Sequence, residues 1–167
     1  MSSCDRRTFC LSALALSAPV LLGGCFRPML AEDNSATEIR GRIAFPKVDG
    51  RFGYFLNQTL EDRLGEAEQA DWALSFTHKF REQNVAVSTD NSVTRITLSV
   101  ETTWSLRQRS NGAVVLKDKS RTLAGYSATT SLFATRQTRQ DIERRLARDI
   151  GERISRRIYA NADKLIA

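Results

Sequence analysis

Between Ile96 and Arg107 the chain alternates. Ile96, Leu98, Val100, Trp104 and Leu106 fall on one side, and Thr97, Ser99, Glu101, Thr103, Ser105 and Arg107 on the other. A period of two puts successive side chains on opposite faces of a strand, so this run demands a sheet with one covered face and one open face. Ser110-Asn111-Gly112 follows, and a second strand runs from Val114 to Tyr126. Register then narrows the turn. A two-residue Asn-Gly loop would pair Leu106 with Lys117 and bury a lysine. A three-residue loop, with a type I turn at Ser110-Asn111 and Gly112 at positive φ, pairs Leu106 with Leu116 instead. It also sets Glu101 opposite Arg121, a favourable cross-strand pair. The second register is the expected one, and it points Asp118 and Ser120 inward at an open sheet end.

The other elements must cover that apolar face. Glu38 to Phe45 alternates with Ile39, Gly41, Ile43 and Phe45 on one side, which predicts a strand ended by Pro46. Lys47 to Gly50 reads as a loop. Phe52, Leu56, Leu60 and Leu64 then recur every fourth residue, the spacing of an amphipathic helix that ends near Gly65 to Glu68. Trp72, Leu74, Phe76, His78 and Phe80 return to alternation, and Gln83 to Val93 is polar and turn-like. His78, the single histidine, has no second histidine to work with and reads as a structural or half-exposed residue. Ser127 to Thr135 is a small-residue connection carrying Leu132 and Phe133. A second helix is expected from Thr138 to about Ala162, because Ile142, Leu146, Ile150, Ile154 and Ile158 sweep about 160° of its circumference. Arg144, Arg145, Arg148 and Arg156 occupy the back of that helix. The sum is an α+β fold: a single four-stranded sheet with two α-helices packed on one face, in the order β-α-β-β-β-α.

The beginning of the chain has a different character. Arg6-Arg7 precede a 14-residue apolar stretch, Phe9 to Leu22, interrupted by Ser12, Ser17 and Pro19. These are signal-peptide proportions, short of the roughly 20 apolar residues of a spanning helix. Arg6-Arg7-Thr8-Phe9 also resembles a twin-arginine export signal. Leu22-Gly23-Gly24-Cys25 resembles the bacterial lipobox, in which small residues precede a cysteine that takes a diacylglyceryl group. The resulting expectation divides the chain into a signal peptide over residues 1–24, a lipid-anchored N-terminus and tether over 25–36, and an α+β domain over 37–167. Phe26, which is not aspartate, points by resemblance to outer-membrane sorting. Of the three cysteines, Cys4, Cys10 and Cys25, only the last would survive processing. The chain carries 25 Lys and Arg against 19 Asp and Glu. In an exported domain that excess selects anionic membrane or ligand over nucleic acid.

Lipobox, short tether and a strand–helix–three strands–helix domain together resemble the LPS-assembly lipoprotein family (LptE-like), of alphaproteobacterial type. Cys25-Phe26-Arg27-Pro28-Met29-Leu30 looks like that family's start after the lipobox. Phe55-Leu56-Asn57-Gln58-Thr59-Leu60 sits in the first helix, and Ala124-Gly125-Tyr126-Ser127 precedes the second. The resemblance implies a non-enzymatic outer-membrane lipoprotein. Its domain would sit on the periplasmic side or within the lumen of the β-barrel LptD, plug that barrel, and help insert lipopolysaccharide into the outer leaflet. The residues agree on chemistry: no nucleophile–base pair, glycine-rich phosphate loop or metal-ligand cluster stands out, and neither catalytic residues nor cofactors are expected. An accessory lipoprotein of another envelope assembly or lipid-transport machine is the alternative. The register argument adds a ligand site. Arg107, Arg109, Lys117, Lys119 and Arg121 gather on the open face near the hairpin tip, where they suit lipopolysaccharide phosphates. The same cations on a solvated face would equally discourage edge-to-edge aggregation.

Overall fold

A computed structural model describes residues 35–87, 93–128 and 131–166. Cys25, the leader and the tether up to Asn34 lie outside the described residues. The elements in order are α1 (Ser35–Ile39), β1 (Ile43–Ala44), α2 (Arg51–Leu64), β2 (Trp72–Val87), β3 (Val93–Gln108), β4 (Val114–Ser127), α3 (Leu132–Tyr159) and α4 (Ala162–Ile166). The four strands form one sheet in sequence order, β1 parallel to β2 and the remaining pairs antiparallel. Parallel neighbours need a crossover, and α2 supplies it. The expected α+β architecture is therefore the observed one: a four-stranded sheet whose apolar face is covered by the two long helices.

The core comes from the predicted stripes. Phe52, Leu56, Leu60 and Leu64 of α2, Leu74 of β2, Leu98, Val100, Trp104 and Leu106 of β3, and Leu146, Ile150, Ile154 and Ile158 of α3 are all buried in one cluster. Where α2 crosses α3, Gly151 meets Thr59, and the Tyr159 hydroxyl donates to the Arg63 carbonyl at 2.5 Å.

The β3–β4 register holds as predicted from Arg95 to Leu106, with Leu106 opposite Leu116 and Glu101 opposite Arg121. The loop itself differs. It is Arg109–Gly112, one residue longer than expected, closed by Gly112 N–H donating to the Gln108 carbonyl at 2.9 Å and Gln108 N–H donating to Ala113 at 2.9 Å. The register shift between Leu106 and Arg107 leaves Val115 unmatched, so a bulge on β4 absorbs the extra loop residue. Gly112 does take positive φ, 71°. The inward Asp118 and Ser120 find partners: Arg157 of α3 meets Asp118 at 3.1 Å, and Trp104 Nε1 donates to Ser120 Oγ at 3.3 Å.

Three other expectations need correction. The predicted Glu38–Phe45 strand shrinks to Ile43–Ala44, with Ile39 closing a helical turn and Gly41 at φ 76°. Gly41 carried no burial information in the alternating pattern. What remains, Ile39 and Ile43, is a spacing of four that a helical turn satisfies as well, and both are completely buried. The helical turn begins at Ser35, and Ala36 is buried within it. Strand β2 does not stop near Phe80 but continues to Val87, through the polar stretch read as a turn. Backbone pairing to β3 needs no apolar side chains, and the inward Glu82 is held by the Tyr126 hydroxyl at 3.1 Å and by Arg139 at 3.7 Å. Helix α3 starts at Leu132 rather than Thr138, with Ser131 Oγ accepting from Ala134 N–H at 3.3 Å. Its apolar stripe begins only at Ile142, so periodicity could not report the first turns. At its other end α3 stops at Tyr159, short of Ala162.

Among the described residues three buried side-chain atoms lack a hydrogen-bond partner: Asn57 Oδ1, Thr102 Oγ1 and Ser155 Oγ. Thr102 is fully buried on the inner face of β3, and its hydroxyl has no hydrogen-bond partner among the described residues. An unsatisfied buried hydroxyl costs about 1–3 kcal/mol. Thr102→Val keeps the branched shape, so we expect a gain of about 1 kcal/mol in urea unfolding.

Candidate functional site

The sheet leaves one face free of helices, and alternation decides what that face presents. On β4, Lys117, Lys119 and Arg121 point outward and are exposed, each flanked by the inward Asp118, Ser120 and Thr122. The inward residues pin the strand to the helix layer, because Asp118 pairs with Arg157 and the Thr122 hydroxyl donates to Asp149 at 2.5 Å. Burial alone would raise the Asp149 carboxyl. The hydrogen bonds from Thr122 and Arg153 and the positive charge of Arg153 and Arg156 outweigh it and hold the group below the ordinary carboxylate range. The cationic strand is thus backed by a charged anchor.

The row extends across the sheet. Lys117 faces Ser105, Lys119 faces Thr103 and Arg121 faces Glu101 in register. On the far side of β3, Glu101 also faces Lys79, and Ser99 faces Arg81. Arg95, opposite Ser127, lays its guanidinium over Gly125, where a Cβ would stand 3.7 Å from Nε. Among the described residues none of Lys79, Arg81, Arg95, Lys117, Lys119 and Arg121 closes an ion pair, and Glu101 is paired only in register. Each of these cations is therefore available to an anion. Lys79, Arg81 and Arg95 are not among the expected members of the row, although they share the strand parity of the outward serines and threonines.

Two expected members behave differently from the β4 trio. Arg107 is exposed on the same face, but its guanidinium reaches the Gly112 carbonyl at 3.5 Å. Arg109 leaves the row. Its backbone N–H donates to Asp71 at 2.7 Å and its side chain reaches the Ala70 carbonyl at 3.5 Å, on the β1 side of the molecule. There it lines a cavity of about 360 Å³ with Arg42, Asp71 and Trp72. Position 109 keeps the β2–β3 register one step beyond the Trp72–Gln108 pair, so its side chain lies beside Ala70 and Asp71 and not beside β4.

A hollow of about 170 Å³ opens on the cationic face between Ser75, Thr77, Thr103, Ser105 and Lys117. Phe76 and Trp104 line it together with these small hydroxyl side chains, and Ser75 and Ser105 meet at 3.0 Å across β2 and β3. Hydroxyl floor and lysine rim together can hydrogen-bond polyols and bind oxyanions. His78 is not part of this face. It packs against Phe52 at 4.7 Å on the helix side, and burial holds its pKa below the usual value. No described helix is long and apolar enough to cross a membrane.

Against known proteins, residues 33–158 match the model of a family described as LptE, lipopolysaccharide-assembly. No curated protein matches the chain. Solved structures share the fold at low identity. A lipoprotein candidate from Caulobacter crescentus superposes with a TM-score of 0.63 at 23% identity, over 77% of this chain and 96% of that one. The rare lipoprotein B of Shewanella oneidensis gives 0.59 at 11% identity, over 75% and 98%. An uncharacterised lipoprotein B of Nitrosomonas europaea gives 0.57 at 10% identity, over 74% and 85%.

Proposed function

Because the chain belongs to the lipopolysaccharide-assembly family LptE, whose work is lipopolysaccharide assembly in the Gram-negative envelope, we propose that it serves as the lipoprotein subunit of the translocon that inserts lipopolysaccharide into the outer leaflet. In this reading Cys25 carries the acyl anchor in the outer membrane, and the domain plugs the barrel LptD and contributes by binding rather than catalysis. The cationic sheet face meets the phosphates and sugars of lipopolysaccharide. The observation that carries the reading is the row Lys117, Lys119 and Arg121, joined by Lys79 and Arg81 across β3, with Glu101 as the one carboxylate facing them in register. Unpaired cations in register match a ligand with several phosphates, and the serine and threonine hollow beside Lys117 matches its sugar hydroxyls.

Two experiments test this. Protein captured from detergent-solubilised outer membrane should bring down a single-chain β-barrel together with lipopolysaccharide. Recovery of neither would remove the translocon reading. The purified protein should bind lipopolysaccharide with an affinity that falls as salt rises, and Lys117→Asp with Lys119→Asp should weaken it at least tenfold. Unchanged affinity with unchanged salt dependence would show that the face is only a solvated one.

A further inference from the structure

The end of the domain away from the β3–β4 loop exposes large apolar side chains that the core does not use. Leu132 and Phe133, in the first turn of α3, are 79% and 71% exposed. No residue from Ser131 to Asp141 is buried, and the first to be so is Ile142. At 1.5 Å per residue, about 15 Å of helix passes before α3 buries its first side chain, with only Thr135 and Gln140 partly covered along it. Leu132 and Phe133 therefore keep their apolar surface in water, and covering it is favourable by the hydrophobic effect. Val85, 61% exposed, sits in the β2 bulge between Asn84 and Ala86 at the same end of the sheet, level with Tyr126 and Ser127.

We propose that this end is a tip for contact with an anionic lipid bilayer, with Leu132 and Phe133 entering the acyl boundary and Arg136 and Arg95 meeting the phosphates. Direction supports it. Helical Cα–Cβ bonds tilt toward the N-terminus, so Leu132 and Phe133 lean off the end of α3. Arg136 follows Leu132 by four residues and Phe133 by three, which puts it on the same side, one turn behind. That turn spans about 5.4 Å, comparable to the depth of about 5–10 Å at which interfacial helices bury their apolar side. Charge selects the occupant. Residues 131–140 contain Arg136 and Arg139 and no carboxylate. Glu82, the acid beside them, is engaged by Arg139 and Tyr126. A wholly apolar protein groove would strand these arginines. An anionic bilayer supplies an apolar layer and, just outside it, the phosphates that arginine favours.

The test uses the full chain added to phosphatidylethanolamine vesicles, with or without phosphatidylglycerol, carrying brominated or ordinary acyl chains. Phe133→Trp places an indole at the tip. The native Trp72 and Trp104 are buried, 5% and 1% exposed, and contribute a constant background. The expected result is a blue shift of the added emission and at least twofold quenching of it by brominated chains in the phosphatidylglycerol vesicles. Arg95→Glu with Arg136→Glu should return quenching to background. Absence of excess quenching overturns the proposal, as does quenching that survives the charge reversal. Quenching that appears only after outer-membrane proteins are supplied also overturns it, and assigns the tip to a protein instead. Lipopolysaccharide retention by the Lys117 and Lys119 face is read separately, so either result can fail alone.

Discussion

Replacing Trp104 with alanine should lower the unfolding free energy by about 3–5 kcal/mol, the range for deleting a buried tryptophan. Trp104 is 1% exposed and lies in the middle of β3, between β2 on one side and β4 on the other. Its ring belongs to the single core cluster shared by sheet and helices, and its indole N–H is the donor that satisfies Ser120 on β4. The substitution opens a cavity and also strands a half-buried hydroxyl, and the two costs act in the same direction. Domains of this size are stable by about 5–15 kcal/mol, so the loss is about a fifth of the margin or more. Urea unfolding followed by circular dichroism would measure it. A loss under 1 kcal/mol would mean the core does not close around this residue. Trp104→Phe should recover most of the apolar packing while leaving Ser120 without its donor, which separates the two contributions.

Gly151→Leu should cost about 3 kcal/mol or more, the upper range for overpacking. Gly151 lies in α3 where it crosses α2, and a Cβ there would stand 2.8 Å from Thr59 Cγ2 and 2.9 Å from Thr59 Cβ. Thr59 cannot turn away cheaply. It is buried, branched at Cβ, and its hydroxyl donates to the Phe55 carbonyl at 2.8 Å. A side chain at 151 must therefore push the helices apart and loosen Leu56, Leu60 and Ile154 with them. A glycine in mid-helix is otherwise a liability of roughly 0.5–1 kcal/mol against alanine, so its presence reflects this close approach. Gly151→Ala combined with Thr59→Gly should couple favourably, the double variant being more stable than the sum of the two single changes predicts. Simple additivity would place the helix contact elsewhere.

Much of the fold was legible because its main strands and helices each bury one side. Ile96 to Leu106 and Leu56 to Leu64 carry periods of two and of nearly four, and each period has one structural solution. The pairing of Leu106 with Leu116 was readable from the cost of burying Lys117, with no knowledge of the loop. Elements whose stability comes from backbone pairing or capping were silent. The extension of β2 from Arg81 to Val87 and the first turns of α3 at Leu132 bury little apolar surface, so neither left a periodic trace. Glu38 to Phe45 misled because Gly41 fitted an alternation to which it contributed nothing. For the site, Lys117, Lys119 and Arg121 followed from register. Arg109 lies instead beside Ala70 and Asp71, and Lys79, Arg81 and Arg95 follow from carrying the same parity across β2 and β3.

The sequence alone determined the class of the fold, the apolar face of each main element, and the strand register that lines up the β4 cations, since all three follow from which side chains avoid water. The tertiary structure decided what lies opposite each polar group. Only there does Arg157 reach Asp118, Trp104 reach Ser120, and Thr59 leave room for nothing larger than a glycine at 151. Those outcomes depend on how α3 lies across the sheet and against α2. Local periodicity carries no record of either, because contacts between segments distant in the chain are set by packing and not by the pattern within each segment.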